Sequence, residues 1–254
     1  MDNTQPESEG CSGFCRSCGT MHYLTSGNAV KEADLLRDRL EKQGSIDLTM
    51  NAGKGDPELS TEPLFGPQRG KMFGALECLT RHNQRIFLYG FSGQFNGRWS
   101  VPGWAPPLFD VDQFRRLNDP VEREIKELGR QIERQIDPHQ KKELLSSRKQ
   151  LSKQLMLRIH NLYRLKNING HTATLSEAVG SEANLPTGIG DCCAPKMLNQ
   201  AAELFLTPLS LAEFYFGRSN PSGTREHGFF YPPCRDKCRP LLGFLLCGSW
   251  KRQL

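Results

Sequence analysis

The stretch 190–216, GDCCAPKMLNQAAELFLTPLSLAEFYF, decides how this chain folds. Met197, Leu198, Ala201, Ala202 and Leu204 recur at helical spacing, and Pro195 is tolerated in a first helical turn. A helix over 194–204 is therefore predicted, with Cys192 and Cys193 at or just before its start. The run 209–216, LSLAEFYF, then reads as a buried strand. Further on, Phe229-Phe230-Tyr231 leads into Pro232-Pro233-Cys234, and 235–247 reads as a second short helix headed by Cys234 and Cys238. Two helix starts, each presenting thiols, thus flank one strand.

Upstream, 71–95 holds two apolar, aromatic-rich runs, 72–79 and 86–91, separated by the polar turn 80–85, which is a β-hairpin pattern. The stretch 99–109, WSVPGWAPPLF, has too many prolines for a helix or a central strand and is expected to pack as a loop over the core. Asp119-Pro120 and Asp137-Pro138 each place a capping side chain before a first-turn proline, predicting a helical hairpin inserted at 119–167. At the front, 1–10 is polar and acidic and reads as a disordered tail. A small module over 11–50 follows, with cysteines and a helix at 31–43 stopped by Gly44, and then a Gly/Pro-rich connector at 51–69. The expected fold class is α+β: a hairpin-led sheet with packed helices over 70–254, the helical insertion, and the small module in front.

Composition narrows the function classes. The chain has 254 residues, 37% hydrophobic and 24% charged, with a formal charge of +5. Its longest apolar run, 240–248, is less than half of the roughly 20 residues a membrane-spanning helix needs. No charged-then-apolar signal pattern opens the sequence, so a cytoplasmic protein without membrane association is expected. The charge is unevenly spread. From 139 to 166 there are eight basic residues against one acidic residue, Glu143. A basic helix face, with Lys141, Lys142, Arg148, Lys149, Lys153 and Arg158 as candidate phosphate contacts, fits nucleic acid; a solvated helix face is the plainer alternative.

Nine cysteines without a secretory signal read as thiols or metal ligands. Cys11-x3-Cys15-x2-Cys18-x3-His22 supplies four soft or borderline donors, the number a closed tetrahedral zinc site needs. Cys11 is its weakest member because it borders the tail, so a three-ligand set completed by a distant residue is the alternative. The second set is Cys192, Cys193, Cys234 and Cys238, with zinc again the expected ion. Were this set catalytic, Asp191, Glu213 and His227 are the candidates for moving protons. A cysteine nucleophile paired with His227 and a backbone oxyanion site at 188–191, or simply buried inert cysteines, are further readings.

Cysteine-headed helix, strand and Pro-Cys-headed helix, preceded by a hairpin, resemble in order the zinc-dependent nucleobase deaminase fold, where a Glu two residues after the first ligand carries the proton. Here Cys192-x-Ala194 and Cys193-x-Pro195 lack that Glu, and the second pair is spaced Cys-x3-Cys. More specifically, GKMFGALE (70–77), FSGQFNGRW (91–99), PPLFD (106–110), LPTGIGDCCAPKMLNQAAE (185–203), LSLAEFYFG (209–217) and HGFFYPPCRDKCRPLLGFLLCG (227–248) resemble the N-terminal extension of large bacterial RluA-like pseudouridine synthases. The resemblance implies an accessory module working with RNA or an RNA-modifying enzyme. The Arg-Leu-Asp motif of the family's catalytic domain is absent from the sequence, so uridine isomerisation by this chain is not expected.

Overall fold

The computed structural model describes residues 10–49, 55–181 and 185–249; the expected tail up to residue 9 and the beginning of the connector lie outside them. The described residues fall into two compact units, one drawn from the ranges 1–108 and 165–254 and one from 109–164. The insertion therefore begins about ten residues before the 119 read from sequence, and the cysteine-bearing 11–50 segment belongs to the larger unit rather than standing in front of it.

In chain order the larger unit starts with a hairpin of β1 (Cys11–Cys15) and β2 (Thr20–Leu24), then α1 (Ala29–Gln43), which ends at Gly44 in the left-handed conformation, its N–H reaching Leu40 O. The connector contains two short 3-10 turns, Pro57–Leu59 and Glu62–Phe65. β3 (Lys71–Leu79) and β4 (Arg85–Phe91) form the expected hairpin. The inserted unit holds α2 (Val111–Arg134) and α3 (Pro138–His160). The chain returns through β5 (Leu165–Lys166), β6 (Thr172–Ala173) and α4 (Leu175–Val179). It continues into α5 (Cys193–Glu203), β7 (Thr207–Phe216) and α6 (Arg239–Leu245).

The central sheet is antiparallel, in the order β4-β3-β7. Strand alternation gives it two working faces. Phe73, Ala75 and Phe91 share one face with Ala212, Phe214 and Phe216, and there they pack with Ala29, Ala33, Leu36 and Leu40 of α1. Each buried Phe or Leu contributes about 1.5–3 kcal/mol. Trp104 completes this layer, its ring 5.5 Å from both Phe73 and Phe91 and its Nε1–H donating to Ile46 O at 2.8 Å. The proline-rich loop thus packs on the core as read from sequence.

The opposite face carries α5. Glu213, of opposite parity to Phe214, is buried there and accepts a hydrogen bond from Ala194 N–H at 2.7 Å. Another buried acid, Glu77, is held as a carboxylate. Burial works against its charge, but Ser210, Asn28 and Arg85 donate to it and bring it below the usual carboxylate range.

Within the smaller unit, α2 does not begin at Asp119-Pro120. Asp110 is its N-cap, accepting from Gln113 N–H at 2.7 Å, and Pro120 lies inside the helix. Aspartate followed by proline looks alike at a helix start and at a tolerated exposed interior position, which is why the sequence placed this boundary late. Asp137 caps α3 as expected, accepting from His139 and Gln140 N–H at 2.8 and 2.9 Å.

Candidate metal centres

The first group unites the two sequence ends of the larger unit. Cys15 ends β1, Cys18 lies in the turn and His22 is on β2; the fourth member is Cys247, just past α6. Their ligand atoms all lie within 4.8 Å of one another, so the group can hold a metal ion. Cys247 reaches the hairpin because β1 packs on α6 where each contributes a glycine. A Cβ on Gly13 would sit 2.2 Å from Gly243 N, and one on Gly243 would sit 2.0 Å from Phe14 O.

Cys11, expected as a ligand, is not among the four. It shares the buried side of β1 with Cys15, but four residues of strand separate their Cα atoms by about 13 Å, too far for one ion. Burial pushes its thiol far up, as for a core side chain. The alternative of three local ligands and a distant fourth matches the geometry.

Within this group Cys18 Sγ is 2.8 Å from Thr20 Oγ1 and 3.1 Å from His22 Nε2. What burial Cys18 has opposes the thiolate, but hydrogen bonds from Thr20, Cys15 and His22 outweigh it and draw the thiol down to about 6. Cys247 is pushed the other way, to about 12, by burial and by hydrogen bonding to Cys15.

The second group is Cys192, Cys234 and Cys238, again with sulfurs within 4.8 Å of one another. Cys192 is the N-cap of α5, with extended backbone at φ −77° and ψ 169°. Cys234 and Cys238 lie one turn apart, with Cys238 N–H donating to Cys234 O at 3.3 Å and their sulfurs 3.4 Å apart. Hydrogen bonds from Cys192 and Cys238 hold Cys234 low, as the thiolate of the three, while the same sharing raises Cys238 and Cys192.

Cys193, also expected here, is not in the group. As the first helical residue it points elsewhere, and its Sγ donates to Met72 O at 3.2 Å in full burial. Adjacent residues at a cap and a first helical position send side chains in different directions, so only one of the pair joins Cys234 and Cys238.

No protein-family model, curated protein or solved structure matches this chain.

Of the three expected proton carriers, Glu213 is the one tied to the second group. Its burial pushes its carboxyl up to about 8, and the charge on Cys234 adds to this against the opposing Ala194 hydrogen bond. His227 is engaged elsewhere: its Nδ1 accepts from Gly217 N–H at 3.0 Å and its Nε2 is 3.3 Å from Glu41. Asp191 anchors the loop at 93, its carbonyl accepting from Gly93 N–H at 2.7 Å.

Lys196 on α5 belongs to no motif in the sequence. It is 1% exposed, with Nζ donating to Gly93 O at 3.1 Å and lying 4.3 Å from the centre of the Phe91 ring. Burial draws its amine down to about 8. The signal available for it was a lone lysine on the apolar face of a helix whose other members are Met197, Leu198 and Ala201.

In the smaller unit, the six candidate phosphate contacts all lie on α3. Lys142, Lys149, Lys153 and Arg158 are exposed, and Lys141 and Arg148 are half-buried. Among the described residues none of the six has an acidic partner within 4.0 Å. No described helix is long and apolar enough to cross a membrane.

Proposed function

We propose that this chain is a zinc-binding, RNA-associated module, in which thiol-rich sites hold the larger unit together and α3 engages phosphates. The observation that carries the reading is the set of six basic side chains on α3 that have no acidic partner among the described residues. Charge of one sign left unneutralised along one helix is the footprint of a polyanion, and counterion release supplies the affinity. Zinc is the ion because three thiols and an imidazole, or three thiols, form a soft donor set and zinc favours tetrahedral sulfur and nitrogen. The likeness to the extension of RluA-like pseudouridine synthases makes RNA the polyanion. Affinity for a single-stranded RNA measured across salt concentrations tests the reading: a steep loss with salt supports it, and unchanged affinity after neutralising all six residues overturns it.

A second reading, a zinc-dependent hydrolase of deaminase-like type, is favoured by one observation. The carboxyl of Glu213 is hydrogen-bonded to the N–H of Ala194, the position where the deaminase pattern has its glutamate. The order of hairpin β3–β4, Cys192-headed α5, β7, and the Pro233-Cys234 turn before α6 supports the same reading. A zinc ion held by Cys192, Cys234 and Cys238 would supply Lewis acidity with one coordination position open, and Glu213 would hold the proton. Release of ammonia from free nucleosides or RNA, abolished by Glu213→Gln with zinc content unchanged, supports it; no release by zinc-loaded protein counts against it.

A further inference from the structure

A cavity of about 390 Å³ opens between the N-terminal hairpin and the segment leading into α6, lined by Tyr23, Pro232, Pro233, Arg235, Arg239 and Leu242 among others. Its volume is in the range of small-molecule sites. We propose that it binds a nucleotide, with the base stacked on Tyr23 and the phosphate held by Arg235 and Arg239. This deepens the RNA-associated reading, on which it rests only for the source of the nucleotide.

Three features carry the assignment. Tyr23 is 68% exposed and has no ring partner among the described residues, so an aromatic face stands open at the cavity. Stacking a base on such a face requires no particular sequence, since every base has a π-face. Arg235 and Arg239 are exposed, and among the described residues neither has an acidic partner within 4.0 Å. Guanidinium groups are suited to phosphate because their planar donor fork meets two oxygens at once.

The third feature is how the walls are braced. Tyr23 directly follows His22 of the first metal group, while Arg235 and Arg239 directly follow Cys234 and Cys238 of the second. Both walls of the cavity are therefore tied to ligand sets, the hairpin wall to the first and the α6 wall to the second and, through Cys247, to the first. Ions bound at the two groups would fix the separation between the stacking face and the arginines, which connects metal loading to ligand affinity.

Calorimetric titration of the zinc-loaded full chain with adenosine 5′-monophosphate, and separately with a short single-stranded oligoadenylate, tests this. Saturable binding of at least one probe is expected. Tyr23→Ala should weaken it about 5- to 150-fold, the range for loss of one base–aromatic stack, and Tyr23→Phe should retain it. Arg235→Ala with Arg239→Ala should weaken it further and flatten its salt dependence. Tighter binding of the oligonucleotide marks an RNA strand as the source and tighter binding of the mononucleotide marks free nucleotide; both support the pocket. Absence of saturable binding of either probe overturns the proposal. So does binding that is indifferent to both sets of substitutions. If oligonucleotide affinity falls only when the six α3 residues are neutralised, the reading of the arm stands and the pocket falls. If the pocket substitutions abolish mononucleotide binding while neutralising α3 leaves it unchanged, the pocket stands whatever the arm does. Tyr23 is on the surface, so its variants should keep the parent metal content and melting temperature.

Discussion

A Cβ on Gly13 would lie 2.2 Å from the backbone nitrogen of Gly243, so β1 and α6 meet backbone to backbone. That contact brings Cys247 within reach of Cys15, Cys18 and His22. Gly13→Ala or Gly243→Ala should therefore cost about 1–3 kcal/mol, as overpacking does. Either should also weaken metal binding at the first group, although neither residue is a ligand. Denaturant unfolding together with zinc competition against a chelator checks both effects. Normal metal affinity in a destabilised Gly13→Ala protein would separate the packing from the site.

The ligand assignments differ from those read along the sequence and are tested by stoichiometry. Cys247→Ser and Cys15→Ser should each lower bound metal by one ion per chain, whereas Cys11→Ser and Cys193→Ser should leave the count unchanged. Elemental analysis of protein purified without added metal gives the numbers. Loss of an ion from Cys11→Ser would return that residue to the site.

Glu213 should make stability depend on pH. Its folded-state value of about 8 is above the ordinary glutamate value, so the folded state binds more protons than the unfolded state between the two. The stabilisation is fully present below the unfolded value, about 4.3, and is lost as pH rises through the folded one. Stability should thus fall across this window by up to about 1.4 kcal/mol per pH unit from this group. Glu213→Gln should flatten that slope and raise stability near pH 8, read by chemical denaturation at matched zinc loading. An unchanged slope would mean that the carboxyl is ionised in the folded protein.

Neutralising Lys141, Lys142, Arg148, Lys149, Lys153 and Arg158 should reduce the salt slope of RNA binding by about 4, since each single-strand phosphate contact contributes about 0.7. The six lie on α3, and helix content by circular dichroism should be retained because the substitutions fall mostly on exposed positions. Equal slopes for parent and variant would remove α3 from the interface.

The helix start in the smaller unit gives a direct comparison. Asp110→Ala should cost about 1 kcal/mol by removing the N-cap of α2, and Asp119→Ala should cost less. Equal costs would favour a break at Asp119-Pro120.

What the sequence made legible follows from how local each signal is. The hairpin of β3 and β4, the strand β7 and the helix behind Cys192 are read from apolar spacing within one element. The partner of a ligand set is not local. Cys247 sits in an apolar helical context, Leu245-Leu246-Cys247, that resembles core, and only the Gly13–Gly243 contact places it beside the hairpin. Likewise, the choice between Cys192 and Cys193 depends on which residue is the cap, a difference of backbone angle that composition does not carry. Glu213 was legible as a candidate, with Asp191 and His227, because it lies near the second cysteine set in the sequence. Its attachment to Ala194 was not, since that depends on which face of β7 meets α5.

The split ligand set of the first group also bears on how the protein comes into being. Cys15, Cys18 and His22 leave the ribosome early and form a three-donor half-site, while Cys247 emerges only after the sheet strands, the inserted helices and α6. Were an ion bound by the nascent hairpin, these three residues alone would hold it throughout that interval. Cys247 would join them only as α6 docks, so closing the four-residue set would report completion of the fold rather than its beginning.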